Sequence, residues 1–396
     1  MRRLAAARVV SSGGSQAAQV ALVYQVYALT HSGAWVAAAL FASLTIGGLL
    51  APVTGWVADR FDRRLVMVTS ELSAGAAYLA MVFVHAPAPL IAGALTATVL
   101  GAPFRAASAA AIPNLVGPGD LAWANGLLGT AFNAALVAGP FLGGALVAIS
   151  GARLVFAVNT ATFVVSGVVI GLTSGSFGTG SGSANRDTRD VLAGFRLIAG
   201  NRLLAPLAAS SALAFASFGT ALVIDPALTR YFHAGPVGYG LLTAVWGAGA
   251  VLGAVVAGRV VTVERAPRAV VWGMVAMAVS LSSVPLLPTF GLIVSAGAIG
   301  GVGDGFVFVP WLLLVQHHTA DAVRGRAVAA TEAFDQMAFL IGMGLAVPAI
   351  AVAGPHHAYA VTGILLAMAS VAAVIATRSR GLVEAVAVGP LEEAFE

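Results

Sequence analysis

Long apolar stretches separated by short polar or charged loops run through the whole sequence. A helix needs about 20 apolar residues to cross the hydrocarbon core of a bilayer. Dividing the chain at charges, Pro/Gly turns and polar clusters leaves twelve segments of that kind. The pattern therefore predicts an all-α integral membrane protein with 12 transmembrane helices. The predicted spans are residues 8–30, 34–58, 65–85, 88–113, 124–149, 153–174, 203–228, 238–261, 268–287, 290–316, 326–350 and 357–377.

The composition agrees with a membrane protein. Hydrophobic residues make up 59% of the chain and charged residues 9%, whereas a soluble domain is about half apolar and about a quarter charged. All 20 basic residues are Arg, and Cys is absent, which excludes disulfides and thiolate metal sites. The Arg residues lie at the ends of spans and form no basic face on a soluble surface, so we expect no nucleic-acid partner.

The positions of the Arg residues predict the orientation. If the N-terminus is cytoplasmic, 17 Arg residues fall on the cytoplasmic side, against Arg153 and Arg230 outside and Arg105 within a span. Cytoplasmic loops collect basic residues in this way. We therefore expect a multi-pass protein of the cytoplasmic (plasma) membrane with both termini in the cytoplasm. The opening MRRLAAARVV is interpreted as the start of the first span, because no convincing signal-peptide cleavage site follows it.

The sequence divides into two groups of six spans. A Gly/Ser-rich linker, GSFGTGSGSANRD, follows the sixth span, and an amphipathic surface helix is expected after it, with Val191, Leu192, Phe195 and Ile198 on one face. Apolar stretches at 33–55 and 235–258 both lead into charged loops and end 203 residues apart, so the halves resemble diverged repeats. The predicted domains are an N-terminal six-helix half at 1–174, the cytoplasmic linker at 175–202, a C-terminal half at 203–380 and a cytoplasmic tail at 381–396.

The loop after the second span carries the most specific motif, GWVADRFDRR. A Gly is followed four residues later by Asp-Arg and then by a basic pair, which resembles the loop signature of the major facilitator superfamily. The family often has Gly where this chain has Asp62. The resemblance implies two six-helix halves in parallel repeat and a cytoplasmic gate, in which the Asp faces the N-terminal end of span eleven and the Gly permits close helix approach. The matching residues are Gly55, Asp59, Arg60, Arg63 and Arg64.

The fifth span contains a second motif, ALVAGPFLGG at residues 135–144. It resembles the antiporter signature of the same superfamily, with Ala135 in place of the first Gly. Segments 103–127 and 323–330 further resemble bacterial drug and siderophore exporters, such as macrolide-efflux proteins and enterobactin exporters. The resemblance implies a bent helix and export rather than import. The alternative is ordinary packing of small residues. The matching residues are Gly139, Pro140, Gly143 and Gly144.

Ionisable residues within spans are costly and are functional candidates by default. A carboxyl group in a low-dielectric cavity can exchange a proton, and Glu332 and Asp335 are three residues apart on one helical face. The alternative is fixed ion pairs between helices. Glu71 and Asp225 lie near helix ends, where we expect them to face water. The residues predicted to couple proton movement are Glu332, Asp335, Asp304 and Arg105.

Polar uncharged residues within the spans predict the wall of a substrate cavity. Ser12, Gln16 and Gln19 share one face of the first span, and a stripe with two Gln residues would be costly against lipid. The other predicted lining residues are Asn133, Trp311 and Gln336. For each of these three, polar packing between helices is an equal alternative.

The sequence contains no Walker, HExxH or GxSxG motif, so we expect no metal, no cofactor and no ATP hydrolysis by this chain. The predicted function is a secondary transporter, not an enzyme, that exports an amphipathic small molecule such as a drug, antibiotic or siderophore. It would exchange that molecule for protons by alternating access and work as a monomer. The alternatives are a proton-coupled importer or symporter, a non-transporting membrane receptor, and an intramembrane enzyme acting on lipid.

Overall fold

The structure of the protein is a computed structural model. It describes residues 2–116, 120–173, 177–178, 196, 198–200, 204–318 and 321–388. Within those residues the chain is helical and contains no β-strand. The predicted all-α membrane fold is confirmed.

The described residues of the first half contain eight helices, and two predicted spans within that half are interrupted. Span two contains a π-helical turn, Phe41–Thr45, and a further break at Leu50, directly before an Ala-Pro helix start. Span four breaks at Ala102 because Pro103 opens a new helix, the position that Pro favours. The helices are α1 (Arg2–Thr30), α2 (Gly33–Leu40), α3 (Ile46–Leu49), α4 (Ala51–Arg60), α5 (Arg63–Val82), α6 (Pro87–Gly101), α7 (Pro103–Leu115) and α8 (Leu121–Gly171).

Helix α8 holds two spans in one continuous run of 51 residues. At 1.5 Å per residue this run would measure about 77 Å if it were straight, more than twice the thickness of the hydrocarbon core. It turns at Gly151, whose φ of 77° is readily adopted only by Gly. Spans five and six are therefore separated by this turn, where the sequence placed their boundary.

The second half repeats this arrangement. Its last helix turns at Gly354, with a φ of 71°, and Gly354 follows Gly151 by 203 residues, the offset between the two charged loops. A short 3₁₀ turn, Val284–Leu286, ends span nine. The helices are α9 (Leu204–Tyr231), α10 (Gly235–Val260), α11 (Ala266–Ser283), α12 (Phe290–His318) and α13 (Asp321–Val388).

Eight helical stretches among the described residues are long and apolar enough to cross a membrane. Two of them, Gly126–Gly171 and Ala330–Ile375, are 46 residues long, so each accounts for two crossings. A shorter apolar helix, Gly33–Thr45, belongs to span two. The multi-pass membrane architecture therefore follows from the helices themselves.

The chain forms two compact units, one of residues 1–185 and 225–247 and the other of residues 186–224 and 248–396. Residues 225–247 join the first unit because they pack on α1 and α8: Gly235 lies near Tyr24, and Gly240 lies against Pro140. The domain boundaries predicted at the linker stay a prediction. Of the predicted amphipathic surface, Val191, Leu192 and Phe195 lie outside the described residues, and Ile198 is buried beside Leu204 and Ala208.

Candidate functional site

Asp335 is a buried acid inside the membrane-spanning part of α13. Only 7% of its surface is exposed, and the hydroxyl group of Ser211 on α9 donates to Oδ2 at 3.0 Å. Its other oxygen, Oδ1, is buried and has no hydrogen-bond partner among the described residues. Asp335 is therefore held by a neutral donor, so the alternative of a fixed ion pair is not found for it in that part of the chain.

Close packing of α9 against α13 positions this pair. A Cβ atom on Gly342 would collide with the backbone of Ala216, and one on Gly219 would collide with the carbonyl group of Phe339. Thr220 donates from Oγ1 to the carbonyl oxygens of Gly342, at 2.9 Å, and Ala216, at 2.8 Å. Small residues permit such approach between membrane helices, and the crossing begins at Phe339, about one helical turn from Asp335.

Glu332 does not share the environment of Asp335. Its side chain is exposed whereas Asp335 is buried, although it is close enough to act on Asp335 electrostatically. Residues three apart on a helix differ by about 60° in direction, because each residue turns by about 100°. The boundary of the buried face therefore runs between the two acids, and their role in proton coupling stays a prediction.

Asp304 lies half-buried on α12 between two closely packed glycines. A Cβ atom on Gly303 would lie 2.7 Å from the carbonyl oxygen of Gly273, and one on Gly305 would lie 2.6 Å from the carbonyl carbon of Gly253. Helices α11 and α10 therefore both approach α12 at the level of Asp304. Its role in proton coupling stays a prediction.

Arg105 on α7 is exposed and lies near a second arginine, Arg8 on α1. Arg8 is half-buried and donates from Nη1 to the hydroxyl oxygen of Ser108 at 3.2 Å. Its charge is opposed by Arg105 and favoured by Glu71. Two cations and one acid of the first unit thus act on one another, a grouping that the sequence analysis did not predict.

Glu71 and Asp225 correct the expectation that both face water. Glu71 is 3% exposed and Asp225 is 8% exposed. Ser11 on α1 donates to both carboxylate oxygens of Glu71, at 3.2 and 3.0 Å. Ser11 precedes the polar stripe of span one by a single position and therefore points about 100° away from it, but the sequence does not indicate that its partner is Glu71.

The predicted antiporter motif packs on two helices of its own unit. Cβ atoms on Gly139 and Gly143 would lie 2.6 Å from the Cβ atom of Gln16 and from the Cα atom of Ala17, both on α1. The third glycine of the motif, Gly144, faces α10, where its Cβ atom would lie 3.2 Å from the Cα atom of Gly240. The Pro140 carbonyl oxygen approaches Gly240 in turn. The motif therefore builds a close three-helix junction.

The predicted cavity residues lie in both units, and the cavity stays a prediction. Ser12, Gln16 and Gln19 are half-buried, whereas Asn133 and Gln336 are exposed. Trp311 is partly buried against an apolar cluster that includes Val315 and Ala330. A separate apolar cavity of about 370 Å³ lies between α1 and α8, and none of the predicted cavity residues lines it.

Three charged residues that follow α4 form hydrogen bonds with backbone groups of the first unit. Asp62 caps α5 by accepting a hydrogen bond from the backbone N–H of Leu65 at 2.8 Å. Arg63 donates to the carbonyl oxygen of Ala110 at 3.0 Å, and Arg64 donates to that of Thr173 at 2.8 Å. These bonds tie the start of α5 to α7 and to the residues after α8.

The other three motif residues of this loop are less constrained. The Arg60 guanidinium group lies 5.9 Å from the ring centroid of Trp56. Asp59 has no hydrogen-bond or ion-pair partner among the described residues, and a Cβ atom on Gly55 would meet none of them within 4 Å. The close helix approach predicted at Gly55 is therefore not found in that part of the chain, and the gate stays a prediction.

Comparison with known proteins decides the family. The family model of the Major Facilitator Superfamily matches residues 4–224 and 204–391. The chain belongs to this superfamily. It is therefore a multi-pass membrane transporter of the major facilitator type, as the loop motif implied.

Individual relatives within the superfamily are distant. The chain is 26% identical over 335 residues to the uncharacterized transporter YfiS of Bacillus subtilis, covering 81% of this chain and 79% of YfiS. It is 39% identical over 102 residues to the class C tetracycline resistance protein of Escherichia coli, covering 26% of each chain. Neither match assigns a cargo to this major facilitator protein.

Solved structures agree with the fold. A mutant of the nucleoside transporter NupG superposes with a TM-score of 0.74 at 14% identity, covering 95% of this chain and 98% of NupG. A bacterial homologue of the iron transporter ferroportin, in an inward-facing state, gives a TM-score of 0.70 at 17% identity, with coverage of 95% and 97%. At 14% and 17% identity, these two structures show that the chain shares their fold, and they show nothing about its cargo.

Proposed function

We propose that the protein exports an amphipathic small molecule, such as a drug, antibiotic or siderophore, across the cytoplasmic membrane in exchange for protons. Asp335 carries the proposal. A buried, ionised carboxylate with a single hydroxyl donor is costly. The protonated, neutral form avoids this cost, so the site favours a carboxyl group that binds a proton and releases it during the cycle. Glu332, Asp304 and Arg105 are the further proposed coupling residues.

Export is favoured over import by two observations. Over 102 residues the chain resembles a protein named for tetracycline resistance, and resistance is what an exporter of an antibiotic would confer. The three glycines that match the antiporter signature all make close helix contacts. The same fold supports import, so the direction of transport is the first outcome that the experiment has to measure.

The proposed transport cycle uses alternating access, and no resident cofactor takes part. Asp59, which has no partner among the described residues, is proposed to close the cytoplasmic side by facing the N-terminal end of α13, where the helix dipole is positive. The proton gradient supplies the energy. We propose that the chain acts as a monomer, with both termini in the cytoplasm.

Inverted membrane vesicles test the proposal, with tetracycline as the first compound of a panel of amphipathic antibiotics. Uptake into inverted vesicles corresponds to export from the cell. We expect an imposed proton gradient to drive uptake, and a protonophore to abolish it. Asp335→Asn should lose gradient-driven uptake, and Ser211→Ala should weaken it.

Ser210→Ala is the matched control, because Ser210 is buried beside Ser211 but donates to the backbone of Pro206. It should transport like the unmodified protein. Gradient-driven accumulation by intact cells in place of inverted vesicles would show an importer. Equal uptake by Asp335→Asn and the unmodified protein would remove Asp335 from the coupling mechanism.

A further inference from the structure

A second buried acid, Glu71, lies in the first unit and has no role in the proposed coupling through Asp335. Glu71 on α5 is 3% exposed and accepts hydrogen bonds from Ser11 on α1. The nearby cation Arg8 donates a hydrogen bond to the hydroxyl oxygen of Ser108. Among the described residues, the Ser11 hydroxyl group is therefore the only hydrogen-bond donor of good geometry to this carboxyl group. It has one proton to donate.

Helix α8 supplies the other side of the site. A Cβ atom on Gly167 would lie 3.7 Å from the Cβ atom of Glu71, so the helices touch there. Ser166 is fully buried and close enough to interact with the Glu71 carboxyl group. Its hydroxyl oxygen nevertheless has no hydrogen-bond partner of good geometry among the described residues. The Ser166 hydroxyl group, which can both donate and accept a hydrogen bond, thus lies beside Glu71 without a fixed partner.

A further unpaired polar group lies on the same face of α8. Asn159 is fully buried two helical turns from Ser166, and its Nδ2 atom has no hydrogen-bond partner among the described residues. Its Oδ1 atom accepts from Thr162 at 3.1 Å. Buried polar atoms without partners are rare, and ordered water commonly satisfies them. Ser166, beside Glu71, and Asn159, two turns away, are therefore two buried positions on α8 where a water molecule would supply the missing hydrogen bond.

A proton fits this site better than a metal ion. A neutral carboxyl group can donate its own O–H to Ser166 while Ser11 donates to its other oxygen, so that all three groups are satisfied. A bound metal cation would face the positive charge of Arg8 and would find only one carboxylate, whereas hard cations prefer several oxygen ligands. Arg8 from α1 acts electrostatically on Glu71, and Arg105 from α7 acts electrostatically on Arg8.

We propose that Glu71, Ser11 and Ser166 form a second proton-binding site, located inside the first half and separate from Asp335. Water beside Ser166 and Asn159 carries the proton to and from Glu71. Loss of the proton creates a negative charge that attracts Arg8 away from Ser108, so the bond between α1 and α7 responds to the protonation of Glu71. A role in transport rests on the proposed function, whereas proton binding is tested without any cargo.

Infrared difference spectroscopy of the purified full-length protein, titrated with pH, tests the site directly. The carbonyl stretch of a protonated carboxyl group is resolved from the carboxylate bands. We expect Glu71→Gln to remove one titrating component of that stretch and Asp335→Asn to remove a different one. Ser11→Ala should change the proton affinity of the Glu71 component by about tenfold, the effect of one hydrogen bond.

Two variants serve as matched controls. Ser15→Ala removes a hydroxyl group one turn along α1 that donates to the backbone of Ser11, and it should leave the Glu71 component unchanged. Glu264→Gln removes an exposed loop acid whose pKa is lowered by a hydrogen bond from the Thr262 side chain, and it should leave both buried components unchanged. If Glu71→Gln does not fold, Glu71→Asp keeps the carboxyl group and should shift the component.

Three results would overturn the second site. The first is a spectrum of folded Glu71→Gln that is identical to that of the unmodified protein at every pH. The second is a Glu71 component that does not titrate. The third is a component that responds when choline chloride is replaced by sodium chloride, which would indicate a cation site. A failed Asp335→Asn prediction affects only the proposed function, because the two components are assigned separately.

Discussion

The crossing of α9 and α13 depends on Gly342, and Gly342→Ala tests this dependence. An added Cβ atom would lie 2.6 Å from the carbonyl carbon and 2.8 Å from the Cα atom of Ala216, whereas ordinary contact lies at 3.4 to 4 Å. Helix α13 would have to move by about 1 Å, and overpacking of this kind costs about 1–3 kcal/mol. The expected result is a lower free energy of unfolding for Gly342→Ala.

Gly344→Ala is the matched control on the same helix. A Cβ atom at position 344 would meet nothing within 4 Å, so the variant keeps the gain in helix propensity of up to about 1 kcal/mol without the collision. Thermal unfolding of the two purified variants in the same detergent should place the Tm of Gly342→Ala below that of Gly344→Ala. The difference isolates the steric cost, because both substitutions change Gly to Ala.

The shift of α13 in Gly342→Ala should also affect Asp335. Thr220 donates to the carbonyl oxygen of Gly342 at 2.9 Å, and a shifted α13 also loosens the Ser211–Asp335 bond two turns away, so gradient-driven uptake should fall. The collision involves the backbone of Ala216, so adding Ala216→Gly should not restore the Tm. Equal Tm values for Gly342→Ala and Gly344→Ala would refute the close crossing, and rescue by Ala216→Gly would refute its backbone origin.

Two further predictions concern the loop after α4. Asp62→Ala removes the N-cap of α5, a bond of 2.8 Å, and should destabilise the protein by about 1 kcal/mol in the same unfolding assay. Asp120→Ala, at the start of α8 where the side chain makes no cap bond, should cost less, and an equal cost would contradict capping by Asp62. Asp59→Asn should remove most tetracycline uptake while equilibrium binding of tetracycline is retained. Uptake equal to that of the unmodified protein would exclude a gate that depends on the Asp59 charge.

The spans were predictable because hydropathy and charge placement depend on the bilayer. The turn between spans five and six lies at Gly151, between the predicted ends at 149 and 153, and Gly354 lies between 350 and 357. Breaks within spans were harder to predict. Pro103 marks the start of α7, but the π-helical turn at Phe41–Thr45 contains no Pro or Gly, so nothing in its composition distinguishes it from regular helix.

Pairs of side chains between helices could not be predicted, because periodicity gives the face of a helix and leaves its partner open. Ser12 and Ser11 are neighbours on α1, yet only Ser11 is buried against α5, where it meets Glu71. The same limit explains Glu332 and Asp335. Their spacing places them about one sixth of a turn apart, and the packing of α9 decides which of them is buried.

The two acid–serine pairs show that the halves are not equivalent, although their turns repeat at a fixed offset. In each half a serine on the first helix, Ser11 or Ser211, donates to a buried acid. The acid comes from the third span in the first half, as Glu71, and from the eleventh span, as Asp335, in the second. The carboxyl group of Glu71 lies against α1 and α8, whereas that of Asp335 lies against α9 near the α9–α13 crossing. Of the two proposed proton sites, a movement that separates α9 from α13 would therefore expose Asp335 without opening the site of Glu71.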